Sequence, residues 1–149
     1  MRLLIHVCCA PCLVYPLQAL REEGFELRGF FYNPNIQPYQ ELARRLETLE
    51  SYAGQVGLPL IVRPDYPLED WLRGVVFREE ERCTYCYHLR LSAAARLAKK
   101  SGYDAFTTTL LYSKRQRHED IQEMARAAGR AAGVEFYYRD FRSGWAEGQ

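Results

Sequence analysis

The five cysteines are the residues of this chain best suited to do chemistry, and they fall into two clusters. Cys8, Cys9 and Cys12 follow directly on an apolar N-terminal run, and Cys83 and Cys86 form a Cys-x-x-Cys pair in the second half of the chain. Thiolates are metal ligands, and a helix start favours thiolates through its free backbone N–H groups and its dipole. Both clusters are expected at helix starts, so the grouping predicts one metal site.

Three kinds of chemistry compete for these thiols. A structural zinc site would take the two Cys-x-x-Cys pairs, residues 9–12 and 83–86, and leave Cys8 in the core. A thioredoxin-like dithiol at Cys83 and Cys86 is the second, although that motif normally follows the first strand of its fold. The third is an iron–sulfur cluster, which is held by cysteine thiolates.

The adjacent pair Cys8 and Cys9 favours the cluster. Neighbouring Cα atoms are only about 3.8 Å apart, so two such thiolates do not easily share one small tetrahedral ion. They can instead bind two irons of a cluster, or a cluster and a neighbouring metal. Five thiols also exceed the four that one site needs, which favours a cluster with an open or second site.

Alternating strands and helices are expected to position the cysteines. Apolar runs predict strands at 2–7, 27–32, 58–62, 104–108 and 134–138. Helical spacing predicts helices from the cysteine turn to Gly24 and at 39–56, 84–100 and 119–132, with Pro11 in the first turn of the first helix. This alternation implies right-handed crossovers and a three-layer α/β fold, a Rossmann-like (HUP-type) open parallel sheet of about five strands with helices on both faces. The tail after residue 139 shows no obvious closing element.

Length and composition describe an ordinary globular chain. Its 149 residues suit a single domain, 1–149, and its net charge of +1 means that nucleic-acid binding would need a local basic patch. No apolar run approaches a membrane span, and the first residues lead straight into a strand with no room for a signal peptide. The chain is therefore expected to be cytoplasmic, where clustered cysteines more often bind metals or catalyse than form disulfides.

Five ordered segments resemble the QueH-type epoxyqueuosine reductases and span nearly the whole chain. They are His-Val-Cys-Cys-Ala-Pro at 6–11, Phe-Tyr-Asn-Pro-Asn-Ile-Gln-Pro at 31–38, Arg-Cys-Thr-Tyr-Cys at 82–86, Phe-Thr-Thr-Thr-Leu-Leu-Tyr-Ser at 106–113 and Phe-Arg-Ser-Gly-Trp at 141–145. The resemblance implies reduction of the epoxide of epoxyqueuosine, a modified guanine of the tRNA anticodon loop, to give queuosine.

The resemblance also implies the cofactors and their ligands. A [4Fe-4S] cluster would be held by the cysteines that match those of the family, namely Cys8, Cys9, Cys83 and Cys86. Cys12 matches a position where the family also uses Asp, which suits a ligand of an additional mononuclear iron or a weak cluster position, and Cys12 is the predicted catalytic residue. The family typically continues into a C-terminal Cys-Gly-Cys segment that this sequence lacks, so the chain is expected to assemble a cluster but to turn over poorly.

The partners follow from the same reaction. The implied substrate is tRNA with a GUN anticodon carrying epoxyqueuosine, and an external electron donor is needed because the sequence has no Gly-rich dinucleotide fingerprint. Predicted substrate-binding residues, most of them at strand ends that face one crevice, are Tyr32, Asn33, Asn35, Thr108, Thr109, Ser113 and Arg142. The predicted tRNA phosphate contacts are Lys114, Arg115 and Arg117. An ordinary strand end, a rigid loop and a solvated charge run remain the alternatives for these residues.

The rival hypotheses come from other classes. One is a zinc-stabilised α/β module that binds RNA without chemistry, and the other is a thiol–disulfide oxidoreductase. A brown protein that bleaches on reduction would support the reductase, and a colourless zinc protein would support the module.

Overall fold

Five parallel strands form one sheet in the computed structural model, which describes residues 2–32, 39–62, 82–112 and 118–144. The strands are β1 (Arg2–His6), β2 (Glu26–Phe31), β3 (Leu60–Val62), β4 (Ala105–Thr108) and β5 (Glu135–Phe136). Their order across the sheet is β3-β2-β1-β4-β5, and every pairing is parallel. Leu3, Leu4 and Ile5 of the central strand β1 are fully buried, as expected for a strand covered on both faces.

Within the described ranges four helices cover the sheet, and they confirm the predicted three-layer α/β fold. They are α1 (Ala10–Glu22), α2 (Tyr39–Val56), α3 (Arg82–Lys100) and α4 (His118–Ala132). Helix α1 packs beside α2, and α3 packs beside α4. Right-handed crossovers place these two pairs on opposite faces. The glycines that follow the four helices, at 24, 57, 102 and 133, all have positive φ and end them as predicted. In the parts of the chain described above, no helix is both long and apolar enough to span a bilayer.

The C-terminal region differs from the sequence prediction. The predicted strand 134–138 is reduced to Glu135–Phe136, although the Tyr137 backbone N–H still donates a hydrogen bond of 2.9 Å to the Phe106 carbonyl oxygen of β4. Tyr137 packs edge-on against Phe25, and Tyr138 bonds to His118. The tail showed no closing element in sequence, and its described part forms a 3₁₀ turn at Phe141–Gly144 in which Phe141 is completely buried.

The strand order creates a topological switch point between β1 and β4 at the carboxyl edge of the sheet. The chain leaves β1 toward β2 on one side, whereas β4, on the other side of β1, is reached only after β3 and α3. The connections therefore diverge between β1 and β4, and this switch point is where open α/β sheets bind their ligands. The segments after these strands are residues 7–9, which carry two cysteines, and the 3₁₀ turn Thr109–Leu111.

Candidate metal centre

Three cysteines lie together at the carboxyl end of β1. Cys8 and Cys9 belong to the bend that follows the strand, and Cys12 lies in the first turn of α1. The Cys9 and Cys12 sulfurs are 3.3 Å apart, those of Cys8 and Cys9 are 4.0 Å apart, and all three sulfurs are within 4.8 Å of one another. Cys8 is only 8% exposed, whereas Cys9 and Cys12 are half-buried. The group is thus closed behind Cys8 and accessible from the side of the other two thiols.

The local sequence explains this turn. Cys9 has an extended backbone and is the N-cap of α1, and Pro11 follows at the helix start, where its missing N–H has no helical partner to lose. The Cys9 side chain makes no capping hydrogen bond to the backbone. Free backbone N–H groups and the positive end of the helix dipole therefore lie beside the thiols, an environment that favours thiolates.

Thr109 joins the end of β4 to the cysteine group. Its Oγ1 accepts a hydrogen bond of 3.0 Å from the Cys8 backbone N–H and donates one of 3.2 Å to the Cys8 sulfur. The threonine is fully buried. The Thr109 hydroxyl makes these two hydrogen bonds with Cys8. Substrate binding by Thr109 stays a prediction.

Thr108 and His6 form a second polar link next to it. The Thr108 hydroxyl oxygen lies 2.9 Å from Nδ1 of His6 and accepts a hydrogen bond of 3.1 Å from the backbone N–H of Leu110. Nε2 of His6 lies 3.2 Å from the carbonyl oxygen of Tyr32, which can only accept, so Nε2 carries the proton of that bond. The fully buried His6 thus connects the ends of β1, β2 and β4.

The arrangement gives the three thiols different acidities. Hydrogen bonds from Cys12 and then from Cys9 lower the pKa of Cys8 well below its usual value, against the effect of burial. The hydrogen bond with Cys12 lowers the pKa of Cys9, but its bond to Cys8, burial and the Cys8 charge raise it overall, to about 11. The pKa of Cys12 is raised by its hydrogen bonds to Cys8 and Cys9 and by burial. Cys8 is therefore the most acidic of the three thiols, and thiols that are protonated in the metal-free chain release their protons when a metal binds.

The sulfur positions fit a thiolate-bound metal. A single tetrahedral ion with bonds of about 2.3 Å requires sulfurs about 3.8 Å apart. The observed separations of 3.3 and 4.0 Å lie on either side of that value. Since Cys8 and Cys9 can approach one ion together, the sequence argument that adjacent cysteines disfavour a single ion does not decide between an ion and a cluster. The donor set, three sulfurs, suits soft metals such as zinc and iron in clusters.

The other cysteine pair lies at the same edge of the sheet. Helix α3 ends next to the start of β1, where the Asp104 backbone N–H donates to the Arg2 carbonyl oxygen. A helix of 19 residues extends about 28 Å, so α3 begins near the carboxyl edge, and Cys83 and Cys86 lie in its first turns. Their side chains are outside the described part of the chain, and the predicted convergence of all four cysteines stays a prediction.

Two further predicted residues are described, Tyr32 and Arg142. Tyr32 follows β2, half-buried, with its ring stacked 6.2 Å from that of Phe30. Arg142 lies in the closing 3₁₀ turn and holds Asp140 through two bonds of 2.9 and 2.7 Å. The remaining predictions fall outside the described residues: Asn33, Asn35, Ser113, Lys114, Arg115 and Arg117.

Sequence reasoning missed one feature of this edge. His6 was quoted only as part of a motif, although a histidine inside an apolar strand is a signal for a buried polar link.

Comparison with known proteins gives the same family for the family model and for the individual relatives. A family model described as "Epoxyqueuosine reductase QueH" matches residues 3–149. A relative of that name from Dehalococcoides mccartyi is 34% identical over 146 residues, covering 98% of this chain and 80% of the relative. The relative from Thermotoga maritima is 34% identical over 151 residues, which cover 96% of this chain and 76% of the relative. The relative from Haemophilus influenzae is 36% identical over 136 residues, which cover 88% of this chain and 54% of the relative.

A solved structure shares the fold. It is the crystal structure of a predicted subunit of tRNA methyltransferase from Methanocaldococcus jannaschii, similar with a TM-score of 0.62 over 99% of this chain and 75% of that chain. The two sequences are 12% identical, so this likeness supports the architecture and nothing about the reaction.

Proposed function

The chain belongs to the epoxyqueuosine reductase QueH family, and we propose that it reduces epoxyqueuosine in tRNA to queuosine at the cysteine group beside β1. We propose further that residues 1–149 act as one domain and that the protein works in the cytoplasm. The observation that carries the proposed site is the convergence of Cys8, Cys9 and Cys12 at the point where the sheet connections diverge. Ligands of open α/β sheets bind at this point.

The proposed cofactor is a [4Fe-4S] cluster held by Cys8, Cys9, Cys83 and Cys86. When bound, it would supply single electrons to the reduction. Cys12 would hold an additional mononuclear iron and serve as the catalytic residue. Three converging sulfurs support the metal site itself. The location of residues 83 and 86 in the first turns of α3, at the same edge, supports the four-cysteine set.

The reaction balances with two electrons. Opening the epoxide breaks two C–O bonds, forms one C=C bond and releases the oxygen as water after it takes up two protons. The electrons would come from an external donor. The chain contributes by its shape: Cys8 closes the rear of the site, and substrate would approach past the half-buried Cys9 and Cys12.

Substrate recognition is proposed at the same edge. Tyr32 offers a half-buried ring beside the end of β2, and Arg142, paired with Asp140, offers a side chain that is 41% exposed. Asn33, Asn35 and Ser113 are proposed to bind the base and its diol. Lys114, Arg115 and Arg117 are proposed to contact phosphates of a tRNA with a GUN anticodon.

A zinc-stabilised RNA-binding module is the second candidate. The observation that favours it is the set of sulfur separations, which suits a single tetrahedral ion. On this view the thiols would hold the fold together and carry out no reduction.

Metal identity separates the two candidates. The chain should be purified without oxygen, and its iron, acid-labile sulfide and zinc should be measured. Iron and sulfide in equal amounts, with a brown colour that bleaches on reduction, support the reductase. A colourless protein with one zinc ion per chain and no sulfide would overturn the cluster proposal in favour of the module.

A further inference from the structure

One buried hydroxyl fixes both the backbone and the side chain of Cys8. Oγ1 of Thr109 lies 3.0 Å from the Cys8 backbone nitrogen and 3.2 Å from the Cys8 sulfur. A hydroxyl has one hydrogen to donate and lone pairs that accept, so it can make both bonds at once. Since Cys8 lies two residues beyond the end of β1 and outside the strand ladder, Thr109 supplies a restraint that the sheet does not.

Thr109 is itself held by a rigid element. It begins the 3₁₀ turn Thr109–Leu111, and its carbonyl oxygen accepts a hydrogen bond of 3.0 Å from the Tyr112 backbone N–H. Thr108 caps this turn through the Leu110 backbone N–H and lies within hydrogen-bond distance of His6. All three residues of the turn are at most 1% exposed. The Thr109 hydroxyl is therefore held in place from β1 and β4 together.

We propose that Thr109 is a positioning residue for the metal ligand Cys8. Its hydroxyl holds the Cys8 sulfur in the direction of Cys9 and Cys12 before a metal binds, and its hydrogen bond stabilises the thiolate afterwards. The role of Cys8 as a ligand rests on the proposed function. Full burial and two bonds to Cys8 leave the Thr109 hydroxyl aimed at the cysteine and away from solvent, so it acts through Cys8 and makes no contact with tRNA.

Thr107 provides a matched control. It lies two residues earlier, in β4, and is also fully buried, but its Oγ1 has no hydrogen-bond partner among the residues that the structure describes. Replacing Thr107 with Val removes a buried hydroxyl from β4 without touching the cysteine group. Thr109→Val removes the hydroxyl at nearly constant shape, and Thr109→Ser keeps it.

Co²⁺ binding to the reduced, metal-free chain measures the effect without any activity assay. Absorption from thiolate-bound Co²⁺ gives the dissociation constant for each variant. We expect Thr109→Val to weaken Co²⁺ binding about 10- to 100-fold, the usual effect of losing a group that orients a metal ligand. Thr109→Ser should restore most of the affinity, and Thr107→Val should leave it at the wild-type level.

Further measurements distinguish failure of the positioning role from failure of the proposed reaction. Thr109→Ala is the second variant in case Val does not fold, and circular dichroism with thermal melting checks each protein first. Wild-type Co²⁺ affinity in both Thr109 variants, with a raised KM for tRNA, would overturn the positioning role in favour of substrate contact. If the wild-type chain binds Co²⁺ but never converts epoxyqueuosine, the proposed reaction fails, while a Thr109-dependent affinity still supports positioning.

Discussion

The sulfur atoms of Cys9 and Cys12 lie 3.3 Å apart across the start of α1. Residues three apart share one face of a helix, so the turn that begins at Cys9 brings the Cys9 and Cys12 thiols close to Cys8, which lies in the bend after β1. The separation is shorter than the roughly 3.8 Å between two sulfurs on one tetrahedral ion. Metal binding is therefore expected to spread these two thiols slightly and to remove their protons.

Replacing Cys9 with Ser should abolish binding of the proposed cluster. Cys9 links Cys8 and Cys12 in space, and a hydroxyl is a much poorer ligand for iron in a cluster than a thiolate. Cys12→Asp is the matched variant and should keep most of the iron, since related proteins carry Asp at this position according to the resemblance noted above. The amounts of iron and sulfide bound per chain, measured after anaerobic reconstitution, test this ranking of the two variants. Equal iron in Cys9→Ser and wild type, or complete loss in Cys12→Asp, would contradict this ranking.

Two glycine substitutions in helices should have opposite effects on stability. A Cβ at Gly129 of α4 would lie 2.7 Å from the Val134 carbonyl oxygen and 3.3 Å from the Phe106 ring. We expect Gly129→Ala to lower the free energy of unfolding by about 1–3 kcal/mol, the usual effect of overpacking. A Cβ at Gly54 of α2 meets no described atom within 4 Å, so Gly54→Ala should raise the free energy of unfolding by about 0.5–1 kcal/mol.

Urea unfolding of the reduced, metal-free chain measures both glycine variants under one condition. The comparison isolates the local environment, because each change adds one methyl group to a helix. A stabilising Gly129→Ala would show that α4 and the segment before β5 are not packed as closely as described.

The Phe141 ring should be a large contributor to stability although it lies close to the end of the chain. It is fully buried in the closing 3₁₀ turn. Phe141→Ala should lower the free energy of unfolding by about 3–5 kcal/mol through lost burial and a new cavity. Val14→Ala on α1 is the control, since Val14 is 44% exposed and its loss should change stability by less than about 0.5 kcal/mol. Equal unfolding midpoints for the two variants would contradict the packing of this turn.

The core of the fold could be predicted from sequence because its signals are local. Apolar strands, amphipathic helices and terminal glycines each identify one element, and the helix 39–56 was predicted at its observed bounds. The C-terminal region could not be predicted in the same way. The side chains of Tyr137, Tyr138 and Phe141 look like strand or tail residues in sequence, but their positions depend on contacts with Phe25, His118 and the buried core.

Part of the cysteine site was also predictable, because cysteine spacing is a local signal in the sequence. Cysteine spacing located Cys8, Cys9 and Cys12, and the parallel-sheet pattern put the end of β4 beside them. The hydrogen bonds from Thr109 to Cys8 join residues 101 positions apart, so no local pattern could show which atoms meet. The hydroxyls of Thr108 and Thr109 were recognised as important by position, and their partners became clear only from the fold.

The Asp140 carboxylate should make stability depend on pH at the acidic end. Its hydrogen bonds with Arg142 lower the pKa of Asp140 to about 2, against the opposing effect of burial. A pKa below the unfolded value of about 3.9 means that the contribution is present above about pH 4 and is lost as the pH falls toward 2. Both side chains are about 40% exposed, so solvent screening keeps the effect small.

Carboxyl-carbon NMR on the metal-free chain measures this pKa directly. Asp140 should stay largely ionised at pH 3 in the wild-type chain. In Arg142→Gln its pKa should return toward the usual range, because the cation and its hydrogen bonds are gone. An Asp140 that titrates identically in both proteins would rule out the ion pair as the cause.

The most direct test of the account is conversion of the substrate by the metal-loaded chain. Reconstituted wild-type protein, reduced by dithionite without oxygen, should be mixed with tRNA carrying epoxyqueuosine, and the modified nucleoside analysed by mass spectrometry. The account predicts a nucleoside that has lost one oxygen atom, identical to queuosine, and no such product with Cys9→Ser under the same conditions. Unchanged epoxyqueuosine with fully iron-loaded wild-type protein, or equal product with Cys9→Ser, would contradict it.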